Sequence, residues 1–168
     1  HQERTGDAMI ETKIQEVIAW GTGARAGVMF RDTMDPDSAF ALMAALPTTG
    51  GTKAIFLSRT AKGGSAQSKV TSILIVPPNC YLRIERKGAE LIGSMSPDGQ
   101  AWTEVKRVTL IAPAATMQAG FAVTSTDRYA TGLSSEVVFC ATPDVPPSPN
   151  PPAGLVATGG NKQVSLAW

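Results

Sequence analysis

Hydrophobic and polar residues alternate in short stretches along most of the chain. In the segment Arg25–Arg31, Ala26, Val28 and Phe30 occupy every second position. Because side chains of a β-strand point to opposite faces in turn, this segment predicts a half-buried strand. The turn-rich sequences DTMDPD and PTTGG come next, each followed by an apolar run, AFALMAAL and AIFL. The stretch Gly23–Leu57 therefore predicts a β-meander.

The same alternation predicts strands before and after the meander. They are Met9–Val17, Val70–Val76, Tyr81–Lys87, Glu90–Ser96, Ala101–Val105, Val108–Ile111, Gln118–Thr124 and Glu136–Cys140. Residues 1–7 are polar and predict a loose end, and residues 18–23 predict a loop. Only Ala39–Leu46 could be argued as a helix, and eight residues is short for one. Five phenylalanines in strand runs are predicted to be core residues: Phe30, Phe40, Phe56, Phe121 and Phe139.

A proline-rich segment changes the composition near the C-terminus. Six of the ten residues in Pro143–Pro152 are proline, which predicts a stiff, extended linker. The sequence therefore predicts a β-module over residues 1–142, a linker over 143–152 and a short β-segment over 153–168.

The charge balance excludes some partners. The 168 residues carry 15 basic and 14 acidic side chains, a net charge of +1, so nothing favours nucleic acid or an anionic membrane surface. Apolar runs are too short to span a bilayer, so no membrane insertion is expected. Only 17% of residues are charged, and Ser, Thr and Gly are plentiful, which suits an extracellular or cell-surface protein. No signal peptide is visible, so either it was removed or the chain is a fragment.

The two cysteines, Cys80 and Cys140, allow two interpretations. Outside the cell they could form a disulfide, and this is the favoured expectation. The alternative is a pair of buried free thiols, which pack as small apolar groups. A zinc site is not expected, because two cysteines and one terminal histidine cannot supply four ligands.

Several stretches resemble bacterial concanavalin A-like (lectin/glucanase, LamG-like) jelly-roll modules. They are ARAGVMFRDTMDPDSAFALM, YLRIERKG, MSPDGQAWTEV and AGFAVTS. The resemblance covers about Ile10–Phe139 and implies an all-β, two-sheet antiparallel sandwich. It also implies that a concave face could bind sugars, as in some members. Complete members usually carry further strands before the one predicted at Met9, so N-terminal strands are expected to be missing.

The C-terminal sequence PPAGLVATGGNKQVSLAW resembles the opening of a fibronectin type III domain. It would supply the first two strands of a fold that needs seven. The apolar residues Leu155, Val164, Leu166 and Trp168 cannot be buried within so short a segment. One explanation is a fragment of a longer modular protein. The other is strand donation, in which this segment completes a sheet of another copy and builds a homopolymer.

No catalytic set is evident, so a non-enzymatic protein is predicted. His1 is the only histidine, which excludes Ser-His-Asp and Cys-His arrangements. The Glu-x-Asp-x-x-Glu motif of glucanases with the resembled fold is absent. Glu11, Glu16, Glu85 and Glu90 are interpreted as solvated surface residues.

Three aspartates, Asp32, Asp35 and Asp37, share one loop and are weak calcium candidates. Pro36 lies between them and indicates an ordinary turn, so the prediction is a structural loop with no metal or other cofactor.

Aromatic and arginine side chains in loops and at strand starts are the candidate glycan contacts. They are Trp20, Arg31, Tyr81, Arg83, Arg128 and Tyr129. Aromatics make up only 6% of the chain, so few rings are available to stack on sugars. The predicted function is a non-catalytic extracellular module that binds a polysaccharide or other glycan, or mediates adhesion. The alternative is a subunit of an extracellular filament assembled through the C-terminal strands.

Overall fold

Thirteen β-strands are described in the computed structural model. Residues 1–17 and 23–124 are described with their side chains, and residues 18, 131–141, 156–160 and 163–167 by their backbone. In chain order the strands are β1 (Gln2–Thr5), β2 (Ala8–Ile18), β3 (Arg25–Arg31), β4 (Phe40–Thr48), β5 (Gly51–Arg59), β6 (Gln67–Leu74), β7 (Tyr81–Lys87), β8 (Glu90–Ser96), β9 (Thr103–Thr109), β10 (Thr116–Thr124), β11 (Thr131–Ala141), β12 (Val156–Gly160) and β13 (Gln163–Ala167). No helix is found among these residues.

Two antiparallel sheets pack face to face. The first has six strands in the order β1-β10-β3-β4-β5-β6, and the second has five in the order β11-β2-β7-β8-β9. The chain passes repeatedly from one sheet to the other, so many neighbouring strands are distant in sequence. The predicted all-β, antiparallel jelly-roll sandwich is confirmed.

The core lies between the sheets and follows the predicted alternation. Val28 and Phe30 point inward from β3 and are fully buried, as is Ile84 from β7. The Phe56 ring packs against Gly93 of the opposite sheet, where an added Cβ would lie 2.3 Å from the ring. The absence of a side chain at Gly93 therefore allows the two sheets to approach closely.

The apolar run AFALMAAL belongs to the meander as predicted: Phe40–Leu46 lies in β4, which pairs on both sides, and it is not a helix. Two secondary-structure predictions are wrong. Residues 1–7 are not a loose end, because Gln2–Thr5 forms β1 and pairs with β10. The two strands predicted between Ala101 and Ile111 are one strand, β9, because the polar residues between them continue the ladder with β8.

Two of the predicted core phenylalanines lie elsewhere. Phe121 is 37% exposed, because β1 pairs only with residues 116–119 of β10 and leaves the edge beside Phe121 open. Phe40 belongs to a second apolar cluster on the outer side of the six-stranded sheet. Phe139 lies in β11, whose side chains are outside the described residues.

The C-terminal strands β12 and β13 pair with each other and form a separate two-stranded sheet. The backbone of Val164 lies opposite Gly159 and that of Leu166 opposite Ala157. Leu155, Trp168 and the linker at 143–152 lie outside the described residues.

The predicted Cys80–Cys140 disulfide is wrong. Cys80 is a buried free cysteine. Its carbonyl accepts a hydrogen bond from Ile14 of β2, whereas Cys140 lies opposite Met9, five residues earlier on β2. Five residues of a strand span roughly 17 Å. The two cysteines also flank β2 on opposite sides, and a disulfide needs Cα atoms within about 7 Å.

Candidate functional site

The outer side of the six-stranded sheet is concave. Gly27 points outward, because its neighbours Ala26 and Val28 point into the core. An added Cβ at Gly27 would lie only 2.0 Å from the carbonyl oxygen of Met43 on β4. In a flat sheet such an atom would project away from the neighbouring strand. The backbone of β4 therefore curls over the outer side of β3.

A second glycine shows the same curvature at the next strand pair. A Cβ at Gly120 on β10 would lie 3.0 Å from Cα of His1, the residue before β1. Since Gly120 pairs with Met29, it also points outward. Both glycines thus lie where adjacent backbones converge, and the sheet between β1 and β4 curves toward its outer side. We call this surface the concave face.

The centre of the concave face is apolar. Leu42, Ala44 and Ile55 are buried there, although they point away from the core. Concavity explains this burial, because side chains on a curved sheet converge over its centre. Packed around them are partly buried apolar residues: Met29, Phe40, Leu46, Leu57 and Ala122.

A polar row borders this apolar floor. Strand register aligns five outward-pointing residues across five strands: Glu3, Gln118, Arg31, Phe40 and Arg59. The Arg59 guanidinium lies 5.5 Å from the centre of the Phe40 ring, in the range of a cation–π contact. Hydrogen-bonding groups and one aromatic ring therefore follow the edge of the apolar surface.

Gln118 carries an unused acceptor at the site. Its Nε2 donates to Oε1 of Glu3 at 3.1 Å, which fixes the orientation of the amide, because a carboxylate only accepts. The other atom, Oε1, is buried and has no hydrogen-bond partner among the described residues. A buried polar atom without a partner is costly, so a donor supplied by a ligand would be favourable.

Arg31 is held in place by the loop that follows β3. Its Nε donates to the carbonyl of Thr33 at 2.6 Å, and Nη2 donates to the carbonyl of Asp35. The same loop is held from β5, where Arg59 donates to the carbonyls of Pro36 and Ser38. The backbone thus orients both arginines of the polar row, which reduces the entropy cost of using them for binding.

A cavity of about 340 Å³ opens at the β10 side of the concave face. Apolar and polar groups share its lining, including Met29, Leu42, Phe121, Arg31 and Gln118. Its volume is near the lower end of the range for small-molecule sites, about 300–1,000 Å³.

The three loop aspartates have partners within the protein. Asp32 accepts from the backbone N–H of Ala114 at 2.7 Å, while the Lys62 ammonium lies 2.8 Å from Asp35 and 3.8 Å from Asp37. The hydrogen bond from Lys62 lowers the pKa of Asp35. An ammonium group therefore lies where a cation would be needed. No group of three potential metal ligands is found in the part of the chain that the structure describes.

The outer face of the five-stranded sheet has a different character. Arg83 lies 2.7 Å from Glu11 and 3.6 Å from Glu85, and its guanidinium stacks over the Trp102 ring at 3.7 Å. Glu11 and Glu85 are about one-fifth exposed, so interpreting them as solvated residues was wrong. Nearby, Lys13 lies over the Tyr81 ring at 5.3 Å. The charged groups of this cluster therefore have partners within the protein.

The structure does not bring the predicted contact residues together. Arg31 lines the cavity, whereas Tyr81 and Arg83 belong to the other sheet and have partners there. Trp20, Arg128 and Tyr129 lie outside the described residues. Gln118, Met29 and Leu42 were not predicted as contacts. A signal exists for Leu42, since the run AFALMAAL that contains it is apolar on both faces of its strand.

Comparisons with known proteins support the fold alone. No protein-family model matches the chain, and no curated protein matches it. The chain is similar to the crystal structure of a functionally unknown protein from Saccharomyces cerevisiae, with a TM-score of 0.67 and 15% identity over 83% of this chain and 72% of that one. The resemblance to concanavalin A-like and fibronectin type III modules remains a prediction.

The described residues contain no helix long and apolar enough to cross a membrane.

Proposed function

We propose that this protein is a non-catalytic extracellular module that binds a glycan on its concave face. The observation that carries the proposal is the buried, unpartnered Oε1 of Gln118 beside an apolar floor and an open cavity. A sugar presents hydroxyl donors at its edge and C–H groups on its ring faces, and it would match both features.

The polar row supports the same ligand class. Arg31 and Gln118 are neighbours across the β3–β10 pair, and both line the cavity. An arginine donates and the Gln118 oxygen accepts, so together they match a hydroxyl, which does both.

A binding role fits the chemistry of the site better than catalysis. Glycoside hydrolysis requires two carboxyl groups facing each other across the scissile bond. The lining of the cavity includes neither aspartate nor glutamate. Glu11 and Glu85 lie on the other sheet with Arg83 between them.

A glycan-array screen tests the proposal. The wild-type protein is expected to bind one glycan class, and Gln118→Leu to weaken that binding at least tenfold, because the ligand hydroxyl loses its acceptor. Gln100→Leu is the matched control, since it makes the same substitution at an exposed position between β8 and β9 that does not line the cavity. A wild-type protein that binds no glycan, or a Gln118→Leu variant that binds normally, would contradict the proposal.

A second candidate function is assembly by strand addition at β6. This strand ends the six-stranded sheet, and Val70, Ile73 and Leu74 on it are 41–54% exposed. Exposed apolar edge strands pair readily with other chains. The edge strand of the other sheet, β9, carries the Glu104–Arg107 ion pair instead, a common protection of edges.

Light scattering over a dilution series tests the second candidate. Assemblies that resist dilution in the wild type and dissociate in Ile73→Lys would support strand addition at β6. A wild-type protein that is monomeric at every concentration would rule it out.

A further inference from the structure

A second cavity, separate from the concave face, lies at the open edge of the sandwich between β6 and β9. Its volume is about 280 Å³. Lys69 enters it from the six-stranded sheet, where it pairs with the core residue Phe56 and so points inward. Lys106 enters from the five-stranded sheet, opposite the inward-pointing Gly93. We call this cavity the edge cleft.

The two lysines have no counter-charge at the edge cleft. The residues that line it include no aspartate or glutamate. Neither Lys69 nor Lys106 makes a salt bridge with any residue that the structure describes, whereas the adjacent Arg107 pairs with Glu104 and Glu90. Two ammonium groups thus share one cavity without a carboxylate between them.

A hydroxyl that opens onto the edge cleft provides the second, independent observation. Ser58 is only 4% exposed and lines the edge cleft from β5. Its inward position follows from its pairing with the buried Ala41. No hydrogen bond of the Ser58 hydroxyl is found in the part of the chain that the structure describes, and its oxygen is not among the fully buried, unpartnered atoms. The hydroxyl therefore opens onto the edge cleft, where a ligand can reach it.

We propose that the edge cleft binds a small oxyanion, a carboxylate or sulfate group such as acidic sugars carry. Lys69 and Lys106 would donate charge-assisted hydrogen bonds to it, and Ser58 would donate a third. Gln67 and Thr60 add polar groups to the lining, and Phe56 forms its apolar floor. This site does not depend on ligand binding at the concave face.

Edge protection is the competing explanation of the two lysines, since inward-pointing charges discourage edge-to-edge pairing of sheets. That explanation accounts for Lys69 and Lys106. It does not account for the unpartnered Ser58 hydroxyl beside them.

Titration of the ¹⁵N-labelled protein at low ionic strength, followed by NMR, tests the proposal. Glucuronate, sodium sulfate and neutral glucose are the probes. Saturable shifts of the Ser58, Lys69 and Lys106 amides are expected with glucuronate and sulfate but not with glucose. Equal affinity for the two anions would identify a general oxyanion site, and tighter glucuronate binding would identify an acidic-sugar site.

Substitutions of the lining residues test whether the chemical-shift changes arise from binding at the edge cleft. Lys69→Gln and Lys106→Gln are each expected to weaken glucuronate binding about tenfold, and Ser58→Ala severalfold. Lys53→Gln is the matched control, because Lys53 lies on β5, the strand that carries Ser58, but outside the lining of the edge cleft. Anion shifts that are absent, or that persist unchanged in both lysine variants, would overturn the proposal. Shifts of Gln118 with neutral glycans report on the concave face alone, so failure at one site is distinguishable from failure at the other.

Discussion

The outer faces of the two sheets use polar side chains in opposite ways. On the five-stranded sheet, Arg83 contacts Glu11, Glu85 and Trp102, so charge, hydrogen bonding and ring surface are satisfied within the protein. On the six-stranded sheet, an apolar floor is bordered by Gln118, whose side-chain oxygen has no partner among the described residues. The charged cluster on one face is satisfied within the protein, and the other face carries an unpartnered oxygen.

Curvature accounts for part of this difference. Outward-pointing glycines at 27 and 120 bring neighbouring backbones together and make the six-stranded sheet concave. Converging apolar side chains then shelter a floor that would be exposed on a flat surface. The comparison teaches that backbone shape, as much as the identity of the exposed side chains, sets the character of each face.

The largest effect is expected from Gly27→Ala. The new Cβ would lie 2.0 Å from the Met43 carbonyl oxygen, a backbone atom that cannot move aside cheaply. We expect the free energy of unfolding to fall by about 3 kcal/mol, the upper end of the usual cost of overpacking. Urea denaturation measures this change in the free energy of unfolding. Gly50→Ala is the control, since nothing lies within 4 Å of its added Cβ. Equal stability of the two variants would show that the concave curvature does not need Gly27.

A smaller loss of stability is expected from Arg83→Ala on the other face. It removes the pair with Glu11 and the stacking on Trp102, both of which are partly buried. A decrease of about 1–2 kcal/mol in unfolding free energy is reasonable for such contacts. Arg83→Lys keeps the charge but loses the planar guanidinium group. Its free energy of unfolding should therefore lie between those of the wild type and of Arg83→Ala. Glycan binding should not change. A loss of binding in a folded Arg83→Ala variant would break the distinction between the faces.

Acid should weaken the hairpin between β8 and β9 through Asp98. Hydrogen bonds from the backbone N–H groups of Gln100 and Ala101 and from the Ser96 hydroxyl lower the pKa of Asp98. Because the folded-state pKa lies below the unfolded value of about 4, this contribution is present above pH 4. It is lost as the pH falls through the folded-state pKa. The decrease in Tm between pH 7 and pH 3 should be smaller in Asp98→Asn than in the wild type. An unchanged acid effect would exclude this role.

The smallest expected effect is the chemical inertness of Cys80. Burial raises the pKa of its thiol to about 12, so little reactive thiolate forms at pH 8. Iodoacetamide should label Cys80 only after unfolding, as mass-spectrometric peptide mapping would show. The intact mass should not rise on reduction, because no Cys80–Cys140 disulfide is present. A peptide pair linked through these cysteines would contradict the strand register.

Local pattern predicted much of the fold. The bounds of Arg25–Arg31, Tyr81–Lys87 and Glu90–Ser96 were predicted as the structure has them, because side-chain alternation and flanking turns mark strands directly. The first strand was missed because Gln2–Thr5 is polar, and only its pairing with β10 makes it a strand. Such pairing joins residues more than one hundred positions apart, which a local pattern does not show.

The site was less predictable than the fold. The orientation of the Gln118 amide depends on Glu3, which lies on a strand distant in sequence. Glycines within strand patterns do indicate close backbone approach, so Gly27 and Gly120 carried a readable signal. The direction of curvature and the absence of a partner for the Gln118 oxygen required the three-dimensional register.

The most direct test of the central claim is chemical-shift mapping of the ¹⁵N-labelled protein with the best glycan from the array. We predict saturable shifts at Gln118, Gly120, Met29 and Leu42, with little change at Arg83 and Trp102. Shifts concentrated around Arg83 and Trp102 would move recognition to the five-stranded sheet. No saturable shift at the concave face would contradict the account.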